Sequence, residues 1–354
     1  MEKATEPWAK RSPATENLPN QRAEKKVGSR SLDIDRAKGL GIALVVWGHL
    51  ASTSTPDMPT WFYVSVGIIY GFHMPFFMYL SGFVFFMSGS QERFWNAPAK
   101  QIVNRFDRLM IPCLAFGTLV VIGKYFAQAI GPVDDQVNDI GSGILKIITN
   151  APGNPALSVW YLIVLFVYTM AAPVLWRFGN RTLTIILLLG SIGWLLPLPD
   201  TYYLNRIGTY FIFFGVGGLF AMHRELVLPM LAKWCLPALL VFAAACYIML
   251  SSPFALLVCG LASIPALHGL FLQRFWSDDK LMLTLGRNSM AIYLMNTIAI
   301  GITKLIYLRY LPYENLWFFL FIGVAFTMGI IGPMMVRSTI GAIPQLHSVK
   351  RYLD

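Results

Sequence analysis

The sequence predicts an all-α, polytopic membrane protein with about ten transmembrane helices. Hydrophobic residues occupy 56% of its 354 positions and charged residues only 13%, whereas a soluble domain carries about 25% charged residues. Runs of about 20 apolar residues, enough to cross a hydrocarbon core of roughly 30 Å, recur along the chain. Because lipid offers the backbone no hydrogen-bond partner and the runs lack the short alternation of barrel strands, helices are the predicted form.

Ten apolar segments follow one another and are predicted to cross the membrane in turn. The first two contain histidines, the fifth is short, and prolines flank or interrupt the seventh and eighth. The predicted spans are 37–55, 62–87, 108–130, 158–177, 182–198, 204–222, 233–250, 254–272, 284–307 and 315–336.

The spans form one predicted membrane domain, residues 36–337, between two tails. Residues 1–35 are rich in Lys, Glu, Asn and Pro. Such a segment has too little apolar surface to form a core, so it is predicted to be a disordered cytoplasmic tail. Residues 338–354 are predicted to be a cytoplasmic C-terminal tail.

Lysine and arginine predict the orientation of the bundle. With the N-terminus inside, 23 of the 28 Lys and Arg residues fall on the cytoplasmic side, as the positive-inside rule requires. Both termini are therefore predicted to be cytoplasmic. On the opposite side, Lys124 and Lys304 are expected to extend to the outer interface. The four cysteines lie in or beside apolar segments without CxxC spacing, so they are predicted to be packing residues.

Two histidines within predicted spans, His49 and His73, are the first candidates for chemistry, because ionisable side chains are costly in hydrocarbon. Lys38 precedes His49 by eleven residues, which places both on one helix face roughly 16 Å apart. The next span runs back, so His73 is expected near mid-membrane and within one polar cavity with His49. The alternative to a catalytic role is that these histidines are structural and that each forms a hydrogen bond between helices.

A basic pair opens the third span. Arg105 and Arg108 are three residues apart, hence on one helix face at a cytoplasmic helix start. Their forked donors can bind a phosphate or pyrophosphate. Ordinary positive-inside anchoring explains the same residues equally simply.

Several strings resemble the acyltransferase 3 family of integral membrane acyltransferases, most closely its fucose 4-O-acetylase-like bacterial branch. They are, in order, the segments 35–49 (DRAKGLGIALVVWGH) and 72–83 (FHMPFFMYLSGF), Arg105-Phe-Asp-Arg108, Trp160-Tyr-Leu162 and the segment 285–294 (LGRNSMAIYL). The resemblance covers about residues 33–340.

The resemblance implies roles for individual residues. In the family, a basic residue is followed after ten further residues by a histidine, and Lys38 and His49 match this pattern. The resemblance implies that Lys38, Arg105 and Arg108 bind the phosphates of an acyl-CoA. It also implies that His49 acts on the acceptor hydroxyl. Many relatives have histidine where this chain has Asn296, so Asn296 is expected only to hydrogen-bond a substrate. His49 is predicted to be the general base.

Other roles stay open at this point. His73 could orient His49, relay its proton or polarise the thioester carbonyl, and a covalent acyl-histidine is an alternative to direct transfer. Trp160 and Tyr161 are expected to stack on a sugar or to form an interfacial belt. Arg206 is expected to contact an anionic glycan or to cap a loop.

These observations predict an O-acetyltransferase of the bacterial inner membrane. Acetyl-CoA is the expected co-substrate, and an exopolysaccharide, lipopolysaccharide or lipid-linked sugar is the expected acceptor. No permanently bound cofactor, metal or nucleic acid is expected, and membrane lipids surround the protein. The alternatives are a proton-coupled transporter or flippase of a glycan or organic acid, and an enzyme that modifies a small acceptor at the inner face.

Overall fold

A computed structural model describes residues 31–52, 58–149, 153–248, 252 and 254–353, and within them the chain is helical without a β-strand. The predicted all-α class is therefore confirmed. Residues 1–30 of the predicted N-terminal tail lie outside the described residues. The α-helices are α1 Leu32–His49, α2 Thr60–Tyr70, α3 His73–Met87, α4 Ser90–Arg93, α5 Pro98–Arg105, α6 Ile111–Ala127, α7 Ile140–Thr149, α8 Trp160–Leu175, α9 Thr182–Leu195, α10 Leu204–Met222, α11 Arg224–Lys233, α12 Cys235–Ile248, α13 Ala255–Ser263, α14 Gly269–Phe271, α15 Leu281–Arg287, α16 Ser289–Tyr310, α17 Leu316–Ala342 and α18 His347–Lys350.

Short helical turns of other types join several of these helices. Two are π-helical, Phe106–Met110 between α5 and α6 and Ile264–His268 between α13 and α14. The 3₁₀ turns are Phe94–Asn96, Leu157–Val159, Trp176–Arg181, Arg274–Trp276 and Pro344–Leu346.

Six helical stretches of the described chain are long and apolar enough to cross a membrane, or seven if the bent pair α11–α12 is one span. The protein is thus a multi-pass membrane protein, while the count of ten spans and the cytoplasmic termini stay predictions. The longest stretch has 39 residues, but it is not one straight helix, because it joins α8 and α9 through a 3₁₀ turn in which Gly179 has a non-helical backbone. The six are Thr60–Met87, Pro98–Ala127, Leu157–Leu195, Leu204–Met222, Ser289–Tyr310 and Leu316–Ala342.

Two helix ends differ from the predicted boundaries. α1 ends at His49 rather than at 55, where a run rich in Ser and Thr, poor helix formers, follows. α17 continues past residue 337 to Ala342. A hydrogen bond of 2.6 Å, donated by Arg337 Nη1 to Asn288 Oδ1, attaches this part of α17 to the start of α16. The span predicted at 62–87 agrees with the membrane-length stretch Thr60–Met87. Within it, α2 ends at Tyr70 and α3 begins at His73, because the ring of Pro75 would clash with the carbonyl four residues earlier.

Helix α1 is packed inside the bundle although its first two turns contain four charged residues. It lies directly against α15: a Cβ on Gly39 would be 2.1 Å from the carbonyl oxygen of Met282, and one on Gly286 would be 1.8 Å from that of Asp35. Only glycine permits this approach, which is typical of helix packing in membranes. The close crossing fixes the position of α1 and so of His49 at its end.

The charged start of α1 is neutralised by buried partners. Asp33 Oδ2 lies 2.9 Å from His268 Nε2, and His268 Nδ1 lies 2.5 Å from Tyr79 Oη on α3. Arg36 Nε lies 3.8 Å from Asp279 Oδ2. His268 is completely buried, and its two hydrogen-bond partners make it a structural residue that joins α1 to α3.

Candidate active site

A cavity of about 800 Å³ lies at the His49 end of α1, and both predicted catalytic histidines line it. Its walls come from α1, the α2–α3 junction, α6, the loop 128–139, and the starts of α8 and α10, together with the middle of α16. The polar side chains among its lining residues are His49, Ser52, Tyr70, His73, Lys124, Asp134, Asp135, Ser158, Trp160, Asp200, Asn205, Arg206, Thr209, Tyr210, Tyr293, Thr297 and Lys304.

The hydrogen bonds of Asn296 determine which nitrogen of His49 carries the proton. Asn296 Nδ2 donates to the carbonyl oxygens of Ile292 at 2.8 Å and Tyr293 at 2.9 Å. Both partners can only accept, so the amide oxygen must face His49, whose Nδ1 lies 2.6 Å away. Neutral His49 is therefore protonated at Nδ1 and leaves the lone pair of Nε2 for the cavity.

His73 has the same tautomer for a different reason. Its Nδ1 lies 2.8 Å from the carbonyl oxygen of Ile69, one turn earlier, to which it donates. The ring of Tyr70 lies beside it, with centroids 5.2 Å apart. Its Nε2 is consequently a second proton acceptor, and polarising a carbonyl would require the protonated ring.

Both imidazoles line the same cavity, and no hydrogen bond joins them. Asn296, not His73, therefore orients His49.

One wall of the cavity is aromatic and cationic. The guanidinium carbon of Arg206 lies 4.6 Å from the ring centroid of Trp160, and the rings of Trp160 and Tyr210 are 5.1 Å apart. No carboxylate lies within 4 Å of the Arg206 guanidinium in the described part of the chain. This wall combines a flat apolar surface with a cation, a combination suited to a sugar that carries a negative charge.

The expectation that Lys124 and Lys304 extend to the outer interface is wrong. Lys304 is only 7% exposed, and its Nζ lies 3.2 Å from Asp134 Oδ2 and 2.5 Å from Ser52 Oγ. Lys124 Nζ lies 3.4 Å from Asp135 Oδ2. Charge pairing is the reason: the acidic loop 128–139 turns into the cavity, and both lysines hold it there.

Two predicted substrate-binding residues do not line the cavity. Asn296 is fully buried behind His49. Tyr161 lies beneath the cavity, where its Oη is 2.5 Å from Ser81 Oγ and its ring is 5.6 Å from that of Tyr293 and 6.0 Å from that of Phe77. Trp160 and Arg206, in contrast, are brought together at the cavity wall.

The predicted phosphate-binding residues lie away from the cavity. Arg105 has its guanidinium carbon 4.9 Å from the ring centroid of Phe85, near the end of α3 opposite His73. Arg108 is exposed in the π-helical turn Phe106–Met110. Gly41 of α1 lies against the side chain of Phe77, and Gly48 lies against that of Tyr70, so α1 and the segment 70–77 run in opposite directions. Lys38 comes one turn before Gly41 and therefore lies at the level of Ser81.

A stripe on α3 connects these two regions. His73, Phe77, Ser81 and Phe85 follow at intervals of four residues and so lie along one side of the helix. The first lines the cavity, the middle two contact Tyr161, and the last contacts Arg105. The stripe is about 18 Å long at 1.5 Å per residue.

A sequence model of the acyltransferase 3 family, described as an acyltransferase domain, matches residues 31–335. The chain belongs to this family. The match covers α1, both cavity histidines and most of α17, and it establishes that the protein is an acyltransferase. With the helical stretches described above, it is a membrane acyltransferase. A search of curated proteins and a search of solved structures each found no match.

Sequence reasoning about this acyltransferase missed three contributions to the cavity. The sequence does not indicate that Asn296 orients His49, apart from its place shortly after the Tyr-Leu pair of α16. The buried Lys304 could have been found, because a lysine in an apolar segment needs a partner. Thr297 lines the cavity, and its Oγ1 is buried without a hydrogen-bond partner. In the described residues, no group of three or more His, Cys, Asp or Glu could hold a metal.

Proposed function

We propose that this membrane acyltransferase transfers an acetyl group from cytoplasmic acetyl-CoA to a hydroxyl of an exopolysaccharide, lipopolysaccharide or lipid-linked sugar, in the bacterial inner membrane. The observation that carries the proposal is the hydrogen bond between His49 Nδ1 and Asn296 Oδ1. It leaves His49 Nε2 as a proton acceptor in a cavity large enough for a sugar.

The reaction follows from that lone pair. The acceptor hydroxyl gives its proton to His49 Nε2 while its oxygen attacks the thioester carbonyl carbon. The new C–O bond forms the ester, the C–S bond breaks, and the proton passes from His49 to the departing sulfur. Atoms and charge balance without a covalent acyl-enzyme, and direct transfer needs no nucleophile from the protein.

His73 fits the role of proton relay best among its three predicted roles. Its Nδ1 is committed to the carbonyl of Ile69, and its Nε2 is left as an acceptor beside His49. A second acceptor can receive the proton from His49 or hold a neighbouring sugar hydroxyl in place. Orientation of His49 belongs to Asn296 instead.

The donor fits between the basic end of α3 and the cavity. Arg105 and Arg108 supply the forked cations that suit phosphates, and Lys38 lies along the way at the level of Ser81. The α3 stripe of about 18 Å is comparable in length to a pantetheine arm. With the predicted orientation, phosphates stay at the cytoplasmic mouth and the thioester reaches His73 and His49.

The acceptor is proposed to bind against Trp160, Tyr210 and Arg206 on the opposite side of the histidines from the donor. Flat aromatic surfaces suit sugar rings, and a guanidinium suits an acidic substituent. The sugar hydroxyl would then face His49 Nε2 across the cavity.

The test is CoA release from acetyl-CoA by the purified protein in lipid nanodiscs, with and without glycan acceptors. We expect acceptor-dependent release, lost by at least 100-fold in His49→Ala because general bases contribute 10²–10⁴. His223→Ala, which changes an exposed histidine outside the cavity, should release CoA normally. Equal release by His49→Ala and wild type would exclude His49 as the base, and failure of every acceptor would contradict the proposed substrate class.

A further inference from the structure

The segment that follows α17 docks on the Arg105–Arg108 turn. Arg351 Nη2 lies 3.1 Å from Asp107 Oδ1, and Tyr352 Oη donates to the same oxygen at 2.9 Å. Leu353 is completely buried and belongs to the hydrophobic core, so the segment is anchored by more than an exposed ion pair. This segment, residues 344–353, lies beyond the part matched by the family model.

Asp107 is the one acidic residue within this turn, between two arginines expected to bind phosphates. A carboxylate there would compete with a phosphate for the guanidinium donors and repel it. The structure gives Asp107 another pair of partners, Arg351 and Tyr352. No ion pair joins Asp107 to Arg105 or Arg108 among the described residues.

The arginines are thereby left as an uncommitted cationic group. Arg105 and Arg108 are three residues apart, about one helical turn, where α5 meets the π-helical turn. Arg105 Nε is buried and has no hydrogen-bond partner. Two neighbouring guanidinium groups that form no ion pair among the described residues repel each other, and a ligand with several negative charges relieves that repulsion.

We propose that the 344–353 segment is part of the donor site: it sequesters Asp107 and so keeps Arg105 and Arg108 available for the phosphates of CoA. The inference rests on the proposed acetyl-CoA donor. It makes Arg351 a positioning residue that acts through Asp107.

The experiment is a double-mutant cycle on CoA affinity, read by calorimetry with CoA alone and the full chain in nanodiscs. In Arg351→Ala, Asp107 is released toward the arginines, and we expect the Kd for CoA to rise about tenfold, roughly the effect of one charged hydrogen bond. Asp107→Asn should bind at least as tightly as wild type. The double variant should bind like Asp107→Asn, since nothing remains to be sequestered.

Two further variants separate the possible causes of a loss of CoA affinity. Arg309→Ala removes an exposed arginine from the far end of α16 and should leave the Kd unchanged. Tyr352→Phe, which removes the hydroxyl that donates to Asp107 and accepts from Arg351 but keeps Arg351 itself, should give a smaller loss of the same sign. An unchanged Kd in Arg351→Ala, or a double variant as weak as Arg351→Ala, would overturn the inference. Absence of CoA binding by the wild type would instead remove the proposed donor itself.

Discussion

Tyr161 Oη lies 2.5 Å from Ser81 Oγ, part-way along the α3 stripe between Phe85, which contacts Arg105, and His73. The rings of Phe77 and Tyr293 flank Tyr161, so the three form an aromatic barrier beneath the cavity. A donor arm that runs along α3 must displace Tyr161. The barrier would then open only when an acyl-CoA enters, and water would otherwise be kept from the thioester.

Tyr161→Phe should raise acceptor-independent hydrolysis of acetyl-CoA several-fold. The variant keeps the ring but removes a hydrogen bond worth about 1 kcal/mol, so the barrier opens more readily. The measurement is CoA release without glycan. Tyr125→Phe, a tyrosine of α6 outside the cavity lining, is the control; equal hydrolysis by wild type and Tyr161→Phe would contradict the barrier.

Asn296→Ala should lower kcat about 100-fold and leave the KM for acetyl-CoA nearly unchanged. Without the amide oxygen, His49 can place its proton on either nitrogen and rotate, so the base loses both tautomer and direction. A shifted pH profile of kcat should accompany the loss, which a packing defect alone would not produce. The matched control is Asn180→Ala, at an exposed asparagine of the 3₁₀ turn Trp176–Arg181.

A loss of kcat with an unaltered pH profile would show that Asn296 supports the fold of α16 rather than the chemistry of His49. Measuring the thermal midpoint of each variant separates that outcome from general destabilisation, because the three hydrogen bonds of Asn296 also contribute to stability.

Apolar patterning predicted the helical class and located both histidines, because hydrocarbon makes any ionisable side chain conspicuous. The shared cavity of His49 and His73 was also predictable, since two antiparallel neighbours place side chains at similar depth. The break before His73 could have been anticipated from Pro75, whose effect on the preceding turn is local.

Long-range pairing was not predictable. Nothing near Asn296 in the chain shows that its amide faces His49, 247 residues earlier, and Lys304 finds Asp134 only because a loop folds inward. Helix α1 carries four charged residues in its first two turns, and two of them pair with residues as distant as His268 and Asp279. Such partners depend on helix packing, which periodicity does not encode.

Arg206→Gln should raise the KM for an acidic glycan about tenfold and leave that for acetyl-CoA unchanged. The guanidinium lies on Trp160 at the cavity wall, where it can pair with a carboxylate of the sugar. Initial rates with an acidic acceptor and its neutral analogue give the comparison. Arg309→Ala serves again as the remote arginine, and an equal loss with both acceptors would show that Arg206 does not recognise charge.

Asp134→Ala should destabilise the protein more than Lys304→Met, although both changes break the same 3.2 Å ion pair. Removing the carboxylate leaves a lysine that is 7% exposed without its main counter-charge, a loss of roughly 3 kcal/mol, whereas methionine replaces the lysine by an apolar chain of similar length. Thermal unfolding in nanodiscs gives the order. Lys124→Met, which breaks the more exposed pair with Asp135, should change the midpoint least. If Lys304→Met is instead the least stable of the three variants, the prediction is wrong. The Lys304–Asp134 ion pair would then stabilise the loop 128–139 by more free energy than its desolvation costs.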